Sequence, residues 1–114
     1  MARILSVGAD ESLMATRKMI LEGAGHTVLN ALTVSAVEEA CSSASFQVAI
    51  IGQNLIPSEK QRAFDLIRER CPTAKVLCLY NSAFGRVLPK ADDWLEVPAK
   101  APGELAEHVN ELAG

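Results

Sequence analysis

The sequence has no excess of basic charge. Its 11 Lys and Arg residues are outnumbered by 14 Asp and Glu residues, which gives a net charge of −3. The densest basic stretch, from Lys60 to Lys75, is interrupted by acidic residues and is interpreted as a solvated helix face. Proteins that bind nucleic acids or membrane surfaces generally carry a basic field. The sequence therefore predicts neither a nucleic-acid partner nor a membrane partner.

Long apolar runs and cysteine pairs are missing as well. No run approaches the roughly 18 residues of a membrane-spanning helix, and no signal-peptide pattern is present, so we expect a cytoplasmic protein. The three cysteines, Cys41, Cys71 and Cys78, contain no Cys-x-x-Cys spacing. We expect reduced thiols, with Cys78 in the core because it lies in an apolar run. Neither a metal nor a cofactor is predicted.

Signatures of nucleotide binding and catalysis are also absent from the sequence. No Gly-Lys-Ser or Gly-Lys-Thr marks a P-loop, and Gly23-Ala24-Gly25 follows a helical pattern rather than a strand. The two histidines, His26 and His108, have no Ser or Cys partner at motif spacing and are predicted to be surface or boundary residues. The sequence therefore indicates a protein that is not an enzyme.

What the sequence does contain is an alternation of two patterns. Short apolar runs, suited to strands covered on both faces, alternate with segments of helical period. The chain has 114 residues, 49% of them hydrophobic, which suits a single domain over residues 1–114. Right-handed crossovers between such units give a doubly wound α/β sandwich. The predicted strands are Ile4–Val7, Thr27–Ala31, Phe46–Ile51, Val76–Tyr80 and Trp94–Val97.

The helices are predicted from capping signals. Asp10 is a suitable N-cap, and Ser35 and Ser58 each stand three residues before a Glu or Gln, which is capping-box spacing. The last helix is predicted to begin near Pro102, a residue tolerated in the first helical turn. Gly85 and Pro89 interrupt the segment between the fourth and fifth strands, so we expect at most a short helix or a loop there.

Four stretches of the chain carry a family likeness: Ile4–Glu11, Glu22–Val28, Phe46–Ile51 with Pro57, and the most specific one, Ala91–Pro98. From Arg3 to Leu112 the chain resembles the receiver domain of response regulators, the signalling module of two-component phosphorelays. The resemblance implies a three-layer, flavodoxin-like fold whose five parallel strands have the order 2-1-3-4-5. The chain is about five residues shorter than that family between the last two strands, more than one helical turn, which implies a shortened fourth helix or a loop.

The family's phosphorylation chemistry maps onto definite positions of this sequence. It requires an aspartate that accepts the phosphoryl group and two acids that hold Mg²⁺. The acceptor position, four residues before Pro57, carries Gln53, whose amide cannot form an acyl phosphate. The acidic pair is replaced by Gly8 and Ala9, and the neighbouring Asp10 is better suited to capping a helix.

The remaining family positions also depart from the pattern. The hydroxyl residue that grips the phosphoryl oxygens is replaced by Tyr80, whose ring is expected to fill the phosphoryl space. The lysine is replaced by Val97, which precedes Pro98 in a peptide bond that is typically cis in the family. Trp94 stands at the position of the family's switch aromatic, where it is equally compatible with a half-buried structural ring.

The resemblance leaves three functions open. The first is a phosphorylation-independent pseudo-receiver that contacts a protein partner (a kinase, an effector or a second copy) through the face of the family's fourth helix, fifth strand and fifth helix. Phe84, Val87 and Leu88, beside Trp94, are expected to form an exposed apolar patch there. The alternative is a small-molecule sensor that uses the neutralised pocket at the carboxyl edge of the sheet. The third is a degenerate domain that only forms a homodimer.

Overall fold

The computed structural model describes residues 1–101 and 103–114, which contain one five-stranded parallel sheet. The strands are Arg3–Val7 (β1), Thr27–Ala31 (β2), Val48–Ile51 (β3), Lys75–Tyr80 (β4) and Asp93–Glu96 (β5). The helices of the described residues are Glu11–Gly23 (α1), Val34–Ser43 (α2), Pro57–Arg70 (α3) and Glu104–Ala113 (α4). The strand order is β2-β1-β3-β4-β5, which confirms the predicted flavodoxin-like, three-layer fold.

Helices cover both faces of the sheet because its central strands are apolar on both sides. Side chains alternate along β3, so Val48 and Ile50 pack on one face while Ala49 and Ile51 pack on the other. The first face is covered by α1 and α4, and the second by α2 and α3. This two-sided burial explains why the strands are visible in the sequence as unbroken apolar runs.

The helix N-termini agree only partly with the capping signals. Asp10 caps α1 as predicted, by accepting a hydrogen bond from a backbone N–H in the first turn. The prediction for Ser35 is wrong, because Thr33 caps α2 and Ser35 lies inside that helix. Ser58 is also not a cap, since α3 begins one residue earlier at Pro57. The fixed φ of proline favours that first helical position, and it outweighs the capping-box spacing.

The segment between β4 and β5 is a loop. Residues 81–92 contain turns and irregular chain without a helix, so the shortened fourth helix is replaced by the loop that the sequence left as its alternative. Gly85 adopts a φ of 73°, which a glycine tolerates and which breaks a helical path. The predicted start of the last helix at Pro102 lies outside the described residues.

A disulfide joins the two helices on one face of the sheet. Cys41, near the end of α2, is bonded to Cys71, directly after α3, with their Cα atoms 5.5 Å apart. The prediction of reduced thiols is therefore wrong for this pair, whereas Cys78 is free and buried as predicted. Neighbouring crossover helices both run antiparallel to the strands, so their carboxyl ends meet, a proximity that cysteine spacing alone does not reveal.

Candidate functional site

The carboxyl ends of the strands bring the predicted site residues to one edge of the sheet. Gly8 directly follows β1, Gln53 lies just beyond β3, and Asn81 directly follows β4. Strands β1 and β3 are neighbours in the sheet, but the chain continues from them in opposite directions. After β1 it crosses to β2 at one edge of the sheet, and after β3 it crosses to β4 on the other side. Open α/β sheets bind ligands at such a switch point, where the flanking loops separate. The edge beside Gln53 is therefore the candidate functional site.

An arginine from α1 reaches across this edge to Gln53. Nη2 of Arg17 donates a 2.8 Å hydrogen bond to Oε1 of Gln53. Burial lowers the pKa of Arg17, and the nearby Asp10 carboxylate opposes that effect. Arginine remains protonated in proteins, so the guanidinium brings a positive charge to the edge. The position that the sequence assigns to the phosphoacceptor thus holds a neutral amide bonded to an internal cation.

The turns after β1 and β3 leave little room for larger side chains. A Cβ atom added to Gly8 would lie 3.0 Å from Sδ of Met14, so a carboxylate there would require Met14 to move. A Cβ atom added to Gly52 would lie 3.1 Å from the Val7 carbonyl oxygen, which cannot move as easily. In the described ranges, no three His, Cys, Asp or Glu side chains cluster as metal ligands do.

Two cavities open along this edge. The α3-side cavity, of about 360 Å³, lies between residues 53–60 and residues 81–87. The α1-side cavity, of about 330 Å³, lies between residues 13–20 of α1 and the chain around Pro98. Gln53 and Asn81 line both cavities and form the wall between them. Each volume is in the range of small-molecule sites in proteins.

Solved structures resemble this chain, whereas no protein-family model and no curated protein sequence matches it. The CheY-like response regulator receiver domain protein of Methanospirillum hungatei is 22% identical, with a TM-score of 0.80 over 97% of this chain and 92% of that one. The Thermotoga maritima response regulator TrrA, in complex with Mg²⁺-BeF, is 23% identical, with a TM-score of 0.81 over 98% and 99%. A chain from the complex of TrrA with the histidine kinase ThkA is 20% identical, with a TM-score of 0.79 over 100% of both. The chain has the receiver-domain fold.

Within the receiver fold, Tyr80 and Trp94 lie beneath one arginine. The Arg86 guanidinium carbon is 5.6 Å from the centroid of the Tyr80 ring and 5.3 Å from the centroid of the Trp94 ring. Both distances suit cation–π contacts. Tyr80 lines neither cavity, and its expected role of filling the phosphoryl space stays a prediction. Through Arg86, the two aromatic rings hold the loop after β4 against the sheet.

The position to which the sequence resemblance assigns the family's lysine carries an apolar residue, Val97. Val97 is buried and lines the α1-side cavity together with Pro98. The Val97–Pro98 peptide bond is cis, which confirms the prediction. This part of the edge therefore offers an apolar wall to the α1-side cavity.

The proposed partner face is smaller than the sequence suggested. Phe84 is 87% exposed, and Val87 is half-buried. Leu88 is only 4% exposed because its side chain packs into the core with the residues of α2 and α3, so its assignment to an exposed patch is wrong. Trp94 is half-buried, and its Nε1 donates a 3.0 Å hydrogen bond to the Val87 carbonyl. The exposed apolar surface of this loop is therefore concentrated at Phe84.

The two histidines have structural contacts away from the site. His26 is buried, which corrects its prediction as a surface or boundary residue. Its Nδ1 accepts a 3.0 Å hydrogen bond from the Ala2 N–H, so its Nε2 carries the proton in the neutral ring and donates to Asn110 Oδ1 at 2.7 Å. His108 Nδ1 lies 2.6 Å from Asp93 Oδ2 and joins α4 to β5.

Two cationic side chains at this edge were missed by sequence reasoning. Arg17 lies seven residues after Asp10, which is two helical turns along the same face. This spacing is the one sequence signal that could have placed Arg17 at the site. Lys60 belongs to the basic stretch that was interpreted as a solvated helix face, yet it is buried and lines the α3-side cavity. None of the helices in the described residues is long and apolar enough to cross a membrane.

Proposed function

We propose that this chain is a phosphorylation-independent receiver-fold module that transmits signals through protein contacts. The observation that carries the proposal is the 2.8 Å hydrogen bond between Arg17 and Gln53. A glutamine amide cannot form the acyl phosphate that an aspartate forms. Because the guanidinium is bonded to that amide, it contributes a fixed positive charge where Mg²⁺ would have to bind.

Electrostatics supports the same proposal. Phosphoryl transfer to an aspartate requires carboxylates that attract Mg²⁺ and a cation that neutralises the phosphoryl oxygens. Gly8 and Ala9 bring no charge, and Val97 brings an apolar wall. A divalent cation that approached Arg17 would be repelled by it. We therefore propose that the conformation of the edge is independent of the phosphorylation state of a kinase.

The proposed partner is a protein: a histidine kinase, an effector or a second copy of the chain. A kinase is a reasonable candidate because TrrA, a neighbour in fold, forms a complex with the histidine kinase ThkA. The proposed contact surface is the loop of residues 81–92, which carries the exposed ring of Phe84 and is hydrogen-bonded through the Val87 carbonyl to the half-buried Trp94. Exposed aromatic rings are enriched in protein interfaces.

Treatment with acetyl phosphate and Mg²⁺ tests the proposal. We expect intact-mass spectrometry to show no phosphoryl adduct, and we expect Mg²⁺ or beryllofluoride to cause no saturable change in Trp94 fluorescence. The variant Gln53→Asp is also expected to remain unmodified, because its carboxylate would meet Arg17 and would still lack metal ligands at Gly8 and Ala9. The matched control is Asn54→Asp, which places the same carboxylate on an exposed neighbour.

A stoichiometric, base-labile adduct on the unmodified sequence would contradict the proposal. An adduct that forms on Gln53→Asp but not on Asn54→Asp would show that Arg17 leaves room for phosphoryl transfer. In that case the missing acceptor alone, and not the whole edge, would account for the loss of phosphorylation.

A further inference from the structure

A buried lysine without a partner lines the α3-side cavity. Lys60, on the first turns of α3, is only 6% exposed. No described carboxylate lies within ion-pair distance of its ammonium group, and no described acceptor forms a hydrogen bond with it. Buried lysines are rarely left unpaired, because an ammonium group loses its hydration on burial. Among the described side-chain N and O atoms that are sealed from solvent, only Asn30 Oδ1 has no hydrogen-bond partner. The unpaired Lys60 ammonium therefore keeps some access to solvent, and Lys60 is one of the residues that line the cavity.

Two amide groups add further donors to the same cavity. Oε1 of Gln53 accepts the hydrogen bond from Arg17, and Oδ1 of Asn81 accepts a 2.8 Å hydrogen bond from the Ala83 N–H. Guanidinium and backbone N–H groups can only donate, so these contacts fix which end of each amide is the oxygen. The NH₂ groups of Gln53 and Asn81 form no hydrogen bond with the described residues and remain free to donate.

The rest of the cavity is apolar. Its walls are formed by Leu55, Ile56, Pro57, Phe84 and Val87. Lys60, Gln53 and Asn81, whose side chains carry unpaired N–H donors, thus line a cavity of about 360 Å³ whose lining contains no acidic side chain. This combination of donors and apolar walls matches an anion with an apolar body.

We propose that the α3-side cavity binds a small organic carboxylate. The carboxylate is held by the ammonium of Lys60 and the free NH₂ groups of Gln53 and Asn81, and the apolar part packs against Leu55 and Phe84. A monoanion fits better than a phosphate, because the cavity supplies one ammonium charge and Arg17 is already bonded to Gln53. The site does not depend on whether the chain is phosphorylated.

Straight-chain carboxylates from butyrate to decanoate are the probes, and Trp94 is the reporter. Trp94 is the single tryptophan of the chain, and its Nε1 is bonded to the carbonyl of Val87, which lines the cavity. We expect a saturable change in Trp94 fluorescence, together with shifts of the Gln53 and Asn81 side-chain amide signals in NMR spectra. 1-Hexanol and hexylammonium have comparable apolar bodies without the negative charge, and we expect both to bind more weakly than hexanoate.

Lys60→Met removes the charge while retaining a side chain of similar length. We expect it to weaken hexanoate binding by at least about tenfold, the effect of losing one charge-assisted hydrogen bond. The matched control is Lys75→Met, at the opposite end of β4, where the lysine is exposed and binding should be unchanged. Gln53→Glu is a second, independent variant: it pairs with Arg17 and removes the NH₂ donor, so we expect it to weaken hexanoate binding as well.

Three outcomes would overturn the carboxylate site. The first is that no carboxylate of the series binds with saturation. The second is that 1-hexanol binds as tightly as hexanoate, which would indicate an apolar cavity without charge recognition. The third is that folded Lys60→Met binds hexanoate like the wild type.

Discussion

At the scale of single residues, Arg17 and Lys60 place two positive charges at the carboxyl edge of the sheet. Neither forms an ion pair with a described carboxylate. Arg17 is bonded to the amide of Gln53, while Lys60 lines a cavity. With only the Asp10 carboxylate near Arg17 opposing them, these two cations favour anions over Mg²⁺ at this edge. The positive charge of this edge therefore supports both proposals, the phosphorylation-independent role and the carboxylate site.

Lys60 also makes the stability of the protein depend on pH. Burial lowers the pKa of Lys60 below its usual value of 10.5. The unfolded chain therefore holds the proton more tightly, so burying the charged lysine costs stability below its folded pKa. That cost disappears as the pH rises from the folded pKa to 10.5. Burial also raises the pKa of the neighbouring Cys78 thiol, which keeps it neutral near pH 7.

We therefore expect Lys60→Met to raise the free energy of unfolding at pH 7 by roughly 1 kcal/mol, because an unpaired buried charge is removed. The gain should shrink as the pH approaches 10.5. Urea unfolding at several pH values measures this difference, with the exposed Lys75→Met as the control that should show none. A difference that is the same at pH 7 and at pH 10 would show that Lys60 is hydrated in the folded protein.

At the scale of elements, the loop of residues 81–92 is attached to the domain by several different contacts. Arg68 of α3 donates a 2.9 Å hydrogen bond to the Lys90 carbonyl and lies 3.1 Å from Asp92 Oδ2. Leu88, with a φ of 58°, turns its side chain into the core. A leucine with positive φ is unfavourable on its own, so its burial must offset the backbone strain. These contacts fix the loop on the C-terminal side of Phe84, which remains exposed.

Substitutions at Phe84 and Leu88 should have opposite consequences. Phe84→Asp is expected to leave the free energy of unfolding within about 0.5 kcal/mol of wild type, because the ring is exposed, and to abolish self-association or partner binding. Leu88→Ala is expected to cost about 2–5 kcal/mol, because it empties a core position. Urea unfolding and sedimentation velocity distinguish the two effects. Unchanged association of Phe84→Asp would place the interface elsewhere.

The elements differ in how far the sequence predicts them. Thr27–Ala31 was predicted with its exact bounds, although it is an edge strand in which only Val28 and Ala31 are buried. The central strand Val48–Ile51, which is buried along its whole length, is the one that shows an unbroken apolar run, and it lies within the predicted Phe46–Ile51. Asp10 was predicted as a cap because its contact is local. Ser35 and Ser58 were wrongly predicted as helix caps because two competing signals for the helix start, Thr33 and Pro57, stand two residues and one residue earlier.

The location of the site in the fold could be predicted from the sequence, but its side-chain contacts could not. The strand ends place Gln53 at the expected edge of the sheet, because topology determines where those ends meet. The contact between Arg17 and Gln53 joins residues 36 positions apart, and no periodicity encodes such a pair. Leu88 was misplaced because an apolar residue in a loop gives no sign of which way its side chain turns.

At the scale of the whole molecule, the Cys41–Cys71 disulfide constrains the relative positions of α2 and α3. It closes a loop with a sequence separation of 30. Reducing compartments keep thiols reduced, so the predicted cytoplasmic location and this bond have opposite requirements. The location stays a prediction, and the stability of the reduced protein becomes the relevant property in a reducing environment.

Reduction of this disulfide should lower the free energy of unfolding by about 3.7 kcal/mol, from the entropy of the opened loop. Urea unfolding with and without dithiothreitol measures the loss. The double variant Cys41→Ser, Cys71→Ser is expected to unfold like the reduced protein and to be insensitive to dithiothreitol. Cys78 is a free thiol in every case and does not contribute. Equal unfolding midpoints before and after reduction would contradict the prediction.

Gln53 and Asn81 form a wall that the two cavities share, so the two cavities are structurally connected. If either side chain rotated, one cavity would gain the space that the other lost. Molecules bound on the two sides would then influence each other's affinity by the same factor in both directions. Because Phe84 lines only the α3-side cavity, a protein partner bound at Phe84 would sense a molecule in the α1-side cavity only through this shared wall.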